Sequence, residues 1–77
     1  MKISKTEQLF QTLPADVQFD IDMQLYVEFG EQLARWSDAY DNGYGNISKK
    51  DISDLERLER ARKRELTERW LKENEAN

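Results

Sequence analysis

Five carboxylates, Asp16, Asp20, Asp22, Glu28 and Glu31, lie within sixteen residues of this 77-residue chain. Carboxylates at such density can hold a metal ion or act as an acid–base pair, and Asp16 and Asp20, four apart, share one face of a helix. That chemistry needs converging partners. The chain has no histidine and no cysteine, which removes the commonest general base, the commonest transition-metal ligand and any thiolate nucleophile. No arginine clamp or glycine-rich phosphate loop accompanies the acids, so the simpler reading is a solvated acidic flank. No catalytic, cofactor-binding or metal residue is expected, and the chain does not read as an enzyme.

A second charged group, Arg57, Arg60, Arg62, Lys63 and Arg64, could face nucleic acid. Five acids interleave it between Asp54 and Glu68, cancelling most of the field a phosphate backbone would feel. Net charge is −4, and it is uneven. Residues 1–47 set three bases against eight acids for a net of −5, while residues 48–77 set nine bases against eight acids for +1. Neither half offers the one-signed basic surface that duplex DNA or an anionic membrane favours. The first residues, Met-Lys-Ile-Ser-Lys, lack the apolar run of a signal peptide and no segment reaches transmembrane length, so a cytoplasmic protein without membrane contact is expected.

The elements that must position these groups read as helices. Ser4-Lys5-Thr6-Glu7 has the form of a capping box ahead of Leu9, Phe10 and Leu13, predicting a short helix at about 4–12. Pro14 then opens a second helix, to about 41, on which Val17, Ile21, Leu25, Phe29, Leu33, Trp36 and Tyr40 follow in steps of three and four. A second apolar row, Phe19, Met23, Tyr26 and Val27, runs along another side. A helix apolar on two sides needs two neighbours, so self-association or a partner protein is expected. Strict alternation from Val17 to Phe29 also fits a strand, which would have to pair with another chain; helix is preferred, because no second strand-like segment exists. Asp41-Asn42-Gly43-Tyr44-Gly45-Asn46, with two glycines and turn-forming asparagine and aspartate, is the one clear break. A third helix, about 48–74, starts at Ser48 with Asp51 three residues on. Ile52, Leu55, Leu58, Leu66 and Trp70 share its face, interrupted by Glu59 and Arg62. Glu56–Arg60, Glu59–Lys63, Glu65–Arg69 and Glu68–Lys72 are spaced for ion pairs along it.

Two local resemblances can be drawn. Residues 40–51, Tyr-Asp-Asn-Gly-Tyr-Gly-Asn-Ile-Ser-Lys-Lys-Asp, resemble an EF-hand calcium loop, with Asn42, Gly45, Ile47, Ser48 and Asp51 at matching positions. Such a loop implies calcium held between two helices. Tyr40 and Tyr44 stand where acidic ligands belong, which favours a plain interhelical turn. Ala39-Tyr40-Asp41, Asn46-Ile47-Ser48 and Glu68-Arg69-Trp70-Leu71-Lys72-Glu73-Asn74 are similar to pieces of Ccd-type antitoxins, whose charged tail binds a toxin. That resemblance implies a DNA-associated regulator with a partner-binding third helix, but the basic or neutral operator-gripping strand is missing.

The expected architecture is therefore all-α: one small domain of a short N-terminal helix and a long antiparallel helical hairpin closed by 42–47, self-associating, with a charged end projecting from about 61 to 77. The expected function is non-enzymatic, that of a small acidic adaptor, inhibitor or accessory protein. The residues expected to meet a partner are Phe19, Met23 and Val27 on helix two, Trp36, Tyr40 and Tyr44 around the turn, and Leu66, Trp70 and Leu71 as an aromatic–aliphatic anchor near the far end.

Overall fold

The computed structural model describes residues 3–75, and among them every regular element is helical. The elements are α1 (Lys5–Gln11), α2 (Ala15–Leu25), a π turn (Tyr26–Gly30), α3 (Glu31–Asn42) and α4 (Lys49–Glu75). Residues 15–42 thus form one continuous rod, and the strand reading of 17–29 is overturned.

Local chemistry sets the boundaries. Ser4 caps α1 by accepting from the Glu7 amide at 3.1 Å. Pro14 is the cap of α2 rather than its first helical residue, with an extended backbone (ψ 149°). The Gln18 side chain, one turn into α2, donates back to the carbonyls of Leu13 (2.8 Å) and Gln11 (3.3 Å), satisfying acceptors that the end of α1 leaves open. Gly43 ends α3 in the left-handed region (φ 72°). The Tyr44 amide donates to the Ala39 carbonyl and the Gly43 amide to that of Tyr40, the paired bonds of a Schellman motif. Ser48 and Asp51 then form a reciprocal capping box: Ser48 N donates to Asp51 Oδ2 at 2.9 Å, and Asp51 N to Ser48 Oγ at 3.1 Å.

The π turn answers a geometric problem posed by the sequence. Val17, Ile21, Leu25, Phe29 and Leu33 are spaced strictly by four. Each such step overshoots one turn of an α-helix by about 40°, so the row would wind about 160° around a regular rod. Between Tyr26 and Gly30 one turn widens, and the Glu31 amide bonds the Tyr26 carbonyl five residues back. The extra residue returns about 100° of that drift. Phe29 packs on the core, and Leu33 and Trp36 remain half-buried.

The core is Phe10 and Leu13 from the α1 end, Ile21 and Leu25 from α2, and Leu66 from α4, with Val17, Phe29, Trp70 and Leu71 packed around it. This corrects the reading of residues beyond 61 as a projecting end. Leu66 is 9% exposed and Thr67 1%, so the middle of that segment is among the most buried parts of the chain; its last two residues, 76 and 77, lie outside the described residues. The physical reason is α1. Phe10 and Leu13 join the same cluster as Leu66, whereas the sequence reading gave that part of the third helix no core to join. The more exposed large apolar group on α4 lies earlier, at Leu58, 58% exposed.

Two ion pairs tie the elements across this core. Lys63 Nζ reaches Glu7 Oε2 at 2.7 Å and lies 4.0 Å from the centroid of the Phe10 ring, fastening α1 to α4. Arg62 donates to both Glu28 carboxylate oxygens, at 3.0 and 3.4 Å, fastening the π turn to α4. Lys63 is thereby used across elements rather than along α4 with Glu59. Of the other pairs expected along that helix, Glu65–Arg69 forms at 3.2 Å, whereas Glu68 pairs with Arg64 at 3.0 Å, on the turn before it, rather than with Lys72.

Candidate functional site

The nine residues expected to meet a partner fall in three places. Leu66, Trp70 and Leu71 belong to the core or its edge; they serve the fold rather than present an anchor to solvent. Trp36 is half-buried on α3, while Tyr40 and Tyr44 are exposed beside the loop. The Tyr44 hydroxyl donates to Asp38 Oδ2 at 2.9 Å, and this bond, with the Asp38 charge, raises its pKa above the ordinary tyrosine value. Phe19, Met23 and Val27 stand on the outer side of the rod, roughly 25 Å along it from Tyr40.

That outer side is the candidate site. Phe19 is 64% exposed, Met23 49%, Tyr26 56% and Val27 69%. Positions i, i+4, i+7 and i+8 place them in one row over about two turns. The row begins on α2 and ends in the π turn. There Gly30 lets the Tyr26 ring lie against the backbone: a Cβ at Gly30 would stand 2.9 Å from Tyr26 Cδ2. The row is opposite in role to Val17, Ile21 and Leu25, which the core consumes. α1, the element that could have covered it, packs on α4 instead. The main clefts of the molecule are lined by other residues, and the row lies on open surface outside them. Tyr26, which the sequence places in this row but not among the residues expected to meet a partner, is exposed with the other three.

Electrostatically the rod is acidic. Asp16, Asp20, Asp22 and Glu31 are exposed, and no lysine or arginine occurs between Lys5 and Arg35. Glu28 is the acid of this stretch with a cationic partner: hydrogen bonds from Gln24 Nε2 (2.8 Å) and then Arg62 hold its carboxyl below the usual glutamate range. The hydrogen bond to Glu28, with the Glu28 and Glu65 charges, in turn raises the Arg62 pKa. Asp51 is likewise lowered, first by the Ser48 amide and then by the Ser48 hydroxyl. Arg62 also accounts for the break in the apolar stripe of α4, since it occupies a core-facing position to reach Glu28.

These shifts carry a pH dependence. A carboxyl whose pKa is depressed by folding stabilises the folded state above its unfolded value, and that stabilisation is lost as pH falls through the folded value. The melting temperature is therefore expected to change little from neutrality to about pH 4.5 and to fall below it. Arg62→Gln should show a weaker acid dependence than wild type. Melts of both proteins followed by circular dichroism check this, and identical acid profiles would contradict the assigned role of Arg62.

The loop that resembles a calcium site uses its polar groups internally. Asn42 Nδ2 donates to the Asp38 carbonyl (2.7 Å) and to Asp38 Oδ1 (3.0 Å), Tyr44 bonds Asp38, and Asp51 caps α4. Among the described residues no group of three or more acids is placed to hold a metal ion, and no helix is long and apolar enough to cross a membrane. Compared with protein-family models, characterised proteins and solved structures, the chain matches none.

Proposed function

We propose that this chain is a non-enzymatic cytoplasmic protein that binds a partner protein through the outer face of α2 and the π turn and modulates it, as an adaptor, inhibitor or accessory factor does. The observation that carries this reading is the row of four large apolar side chains, each about half exposed or more, on a rod whose other apolar row fills the core. Single exposed apolar residues are ordinary, but four contiguous ones on one helix face form the kind of patch that marks an interaction surface. In this reading the rod and α4 make an antiparallel hairpin that holds the face rigid. The face has two candidate occupants, a second copy of the chain and a different protein.

The test is a charge placed in the middle of the row. Met23→Lys removes no core contact, so helicity and melting temperature should stay close to wild type, within about 0.5 kcal/mol. Association should be lost, because a buried ammonium without a partner is strongly unfavourable. Circular dichroism together with pull-down from the native host reads both. Partner recovery by Met23→Lys at the wild-type level would remove the face from the proposal.

A further inference from the structure

We propose that the occupant of this face is an amphipathic helix of another protein, its apolar side edged by lysine and arginine, and that a second copy of the chain is excluded by charge. The inference rests on the face being the binding surface and adds the chemistry of what covers it. Two observations set that chemistry. The row Phe19, Met23, Tyr26 and Val27 has the i, i+4, i+7, i+8 spacing with which one helix anchors along another, and it lies outside the main clefts of the molecule. Its borders carry Asp16, Asp20 and Asp22 exposed, with Glu31 beyond the π turn, and the rod supplies no base until Arg35.

Two copies meeting face to face would collide electrostatically in either direction. Antiparallel pairing centred near Met23 sets Asp16 of each copy towards Glu31 of the other. Parallel pairing sets Asp16, Asp20 and Asp22 beside themselves. The bases of α4 are committed to other acids: Arg62 is held by Glu28, Lys63 by Glu7, and Arg69, which shares a cleft with Asp20, by Glu65. A basic-edged helix meets the same borders with opposite sign, which both discriminates against the wrong partner and steers the right one.

The experiment uses the full chain and two synthetic amphipathic helices of identical apolar face, one of leucine and lysine and one of leucine and glutamate. The leucine–lysine helix should bind, at least tenfold more weakly when ionic strength rises from about 0.01 to 0.15 M, and the leucine–glutamate helix should not. The triple variant D16N/D20N/D22N should bind the lysine helix about tenfold more weakly while keeping its helical spectrum, and should self-associate in sedimentation where wild type remains a monomer. Equal binding of both helices, no binding of the lysine helix, or a wild-type dimer at low salt would overturn the proposal. M23Q/V27Q separates the levels. If it leaves lysine-helix binding intact, the face itself is wrong; if it abolishes binding that the triple variant retains, the face stands and the charge inference falls.

Discussion

Replacing Leu66 with alanine is expected to leave much of the protein unfolded at room temperature. Leu66 is 9% exposed and is the buried apolar side chain that α4 contributes to the five-residue core cluster. Truncating a buried leucine costs about 2–5 kcal/mol, the lost transfer energy plus the cavity left behind. A single core in a chain of this size rarely supplies more than about 3–5 kcal/mol of net stability. The substitution therefore removes most of the margin. Denaturant and thermal unfolding monitored by circular dichroism give the answer, and a cooperative melt within a few degrees of wild type would mean that Leu66 is not where the core closes.

Trp70→Ala should be the next most damaging change. Read from sequence, Trp70 and its neighbours looked like an anchor on a projecting helix, whose loss would spare the fold. Trp70 instead packs at the edge of the core beside Leu71, and a half-buried indole contributes about 2 kcal/mol through the area it covers. In a domain this small each kcal/mol moves the melting temperature by about 4–8 °C, so a fall of roughly 10 °C is expected. Any loss of partner capture by this variant would then follow from unfolding. Comparing the variant with wild type at a temperature where both remain folded separates the two accounts; normal stability there with no capture would restore the anchor.

The helical class and the ends of the helices were legible in the sequence because they depend on local chemistry. Ser4, Pro14, Gly43, and Ser48 with Asp51 each act within a turn of where they stand, although Glu7 gives its carboxylate to Lys63 instead of closing a capping box and Pro14 caps α2 instead of opening it. The exposed row at Phe19, Met23 and Val27 was legible for the same reason, as a periodicity left over once a core-facing row had been assigned. What the sequence hid was which surfaces meet. α1 is seven residues long, and nothing in its pattern says that Phe10 and Leu13 seat against Leu66 rather than against the second row of the rod. That single placement turned the supposed projecting end into core and kept the outer face open. The interruption of the α4 stripe by Arg62 was visible, but its cause lies 34 residues away, at Glu28, beyond the reach of any periodicity. The π turn was visible in principle: four successive steps of four are more than an α-helix can hold on one side.

The widened turn has a consequence for how this rod can vary. Removing one residue between Tyr26 and Gly30 would not sever the helix; it would restore the ordinary hydrogen-bond register and leave a straight cylinder. α3 would then be about 1.5 Å closer to α2 and rotated by about 100° around their common axis, carrying Trp36 and the loop beyond Gly43 out of alignment with α4. A change of chain length at this point is thus converted into an angle between the two ends of the rod. The stretch from Tyr26 to Gly30 acts as an indexed joint, in which residue number sets the orientation of everything downstream.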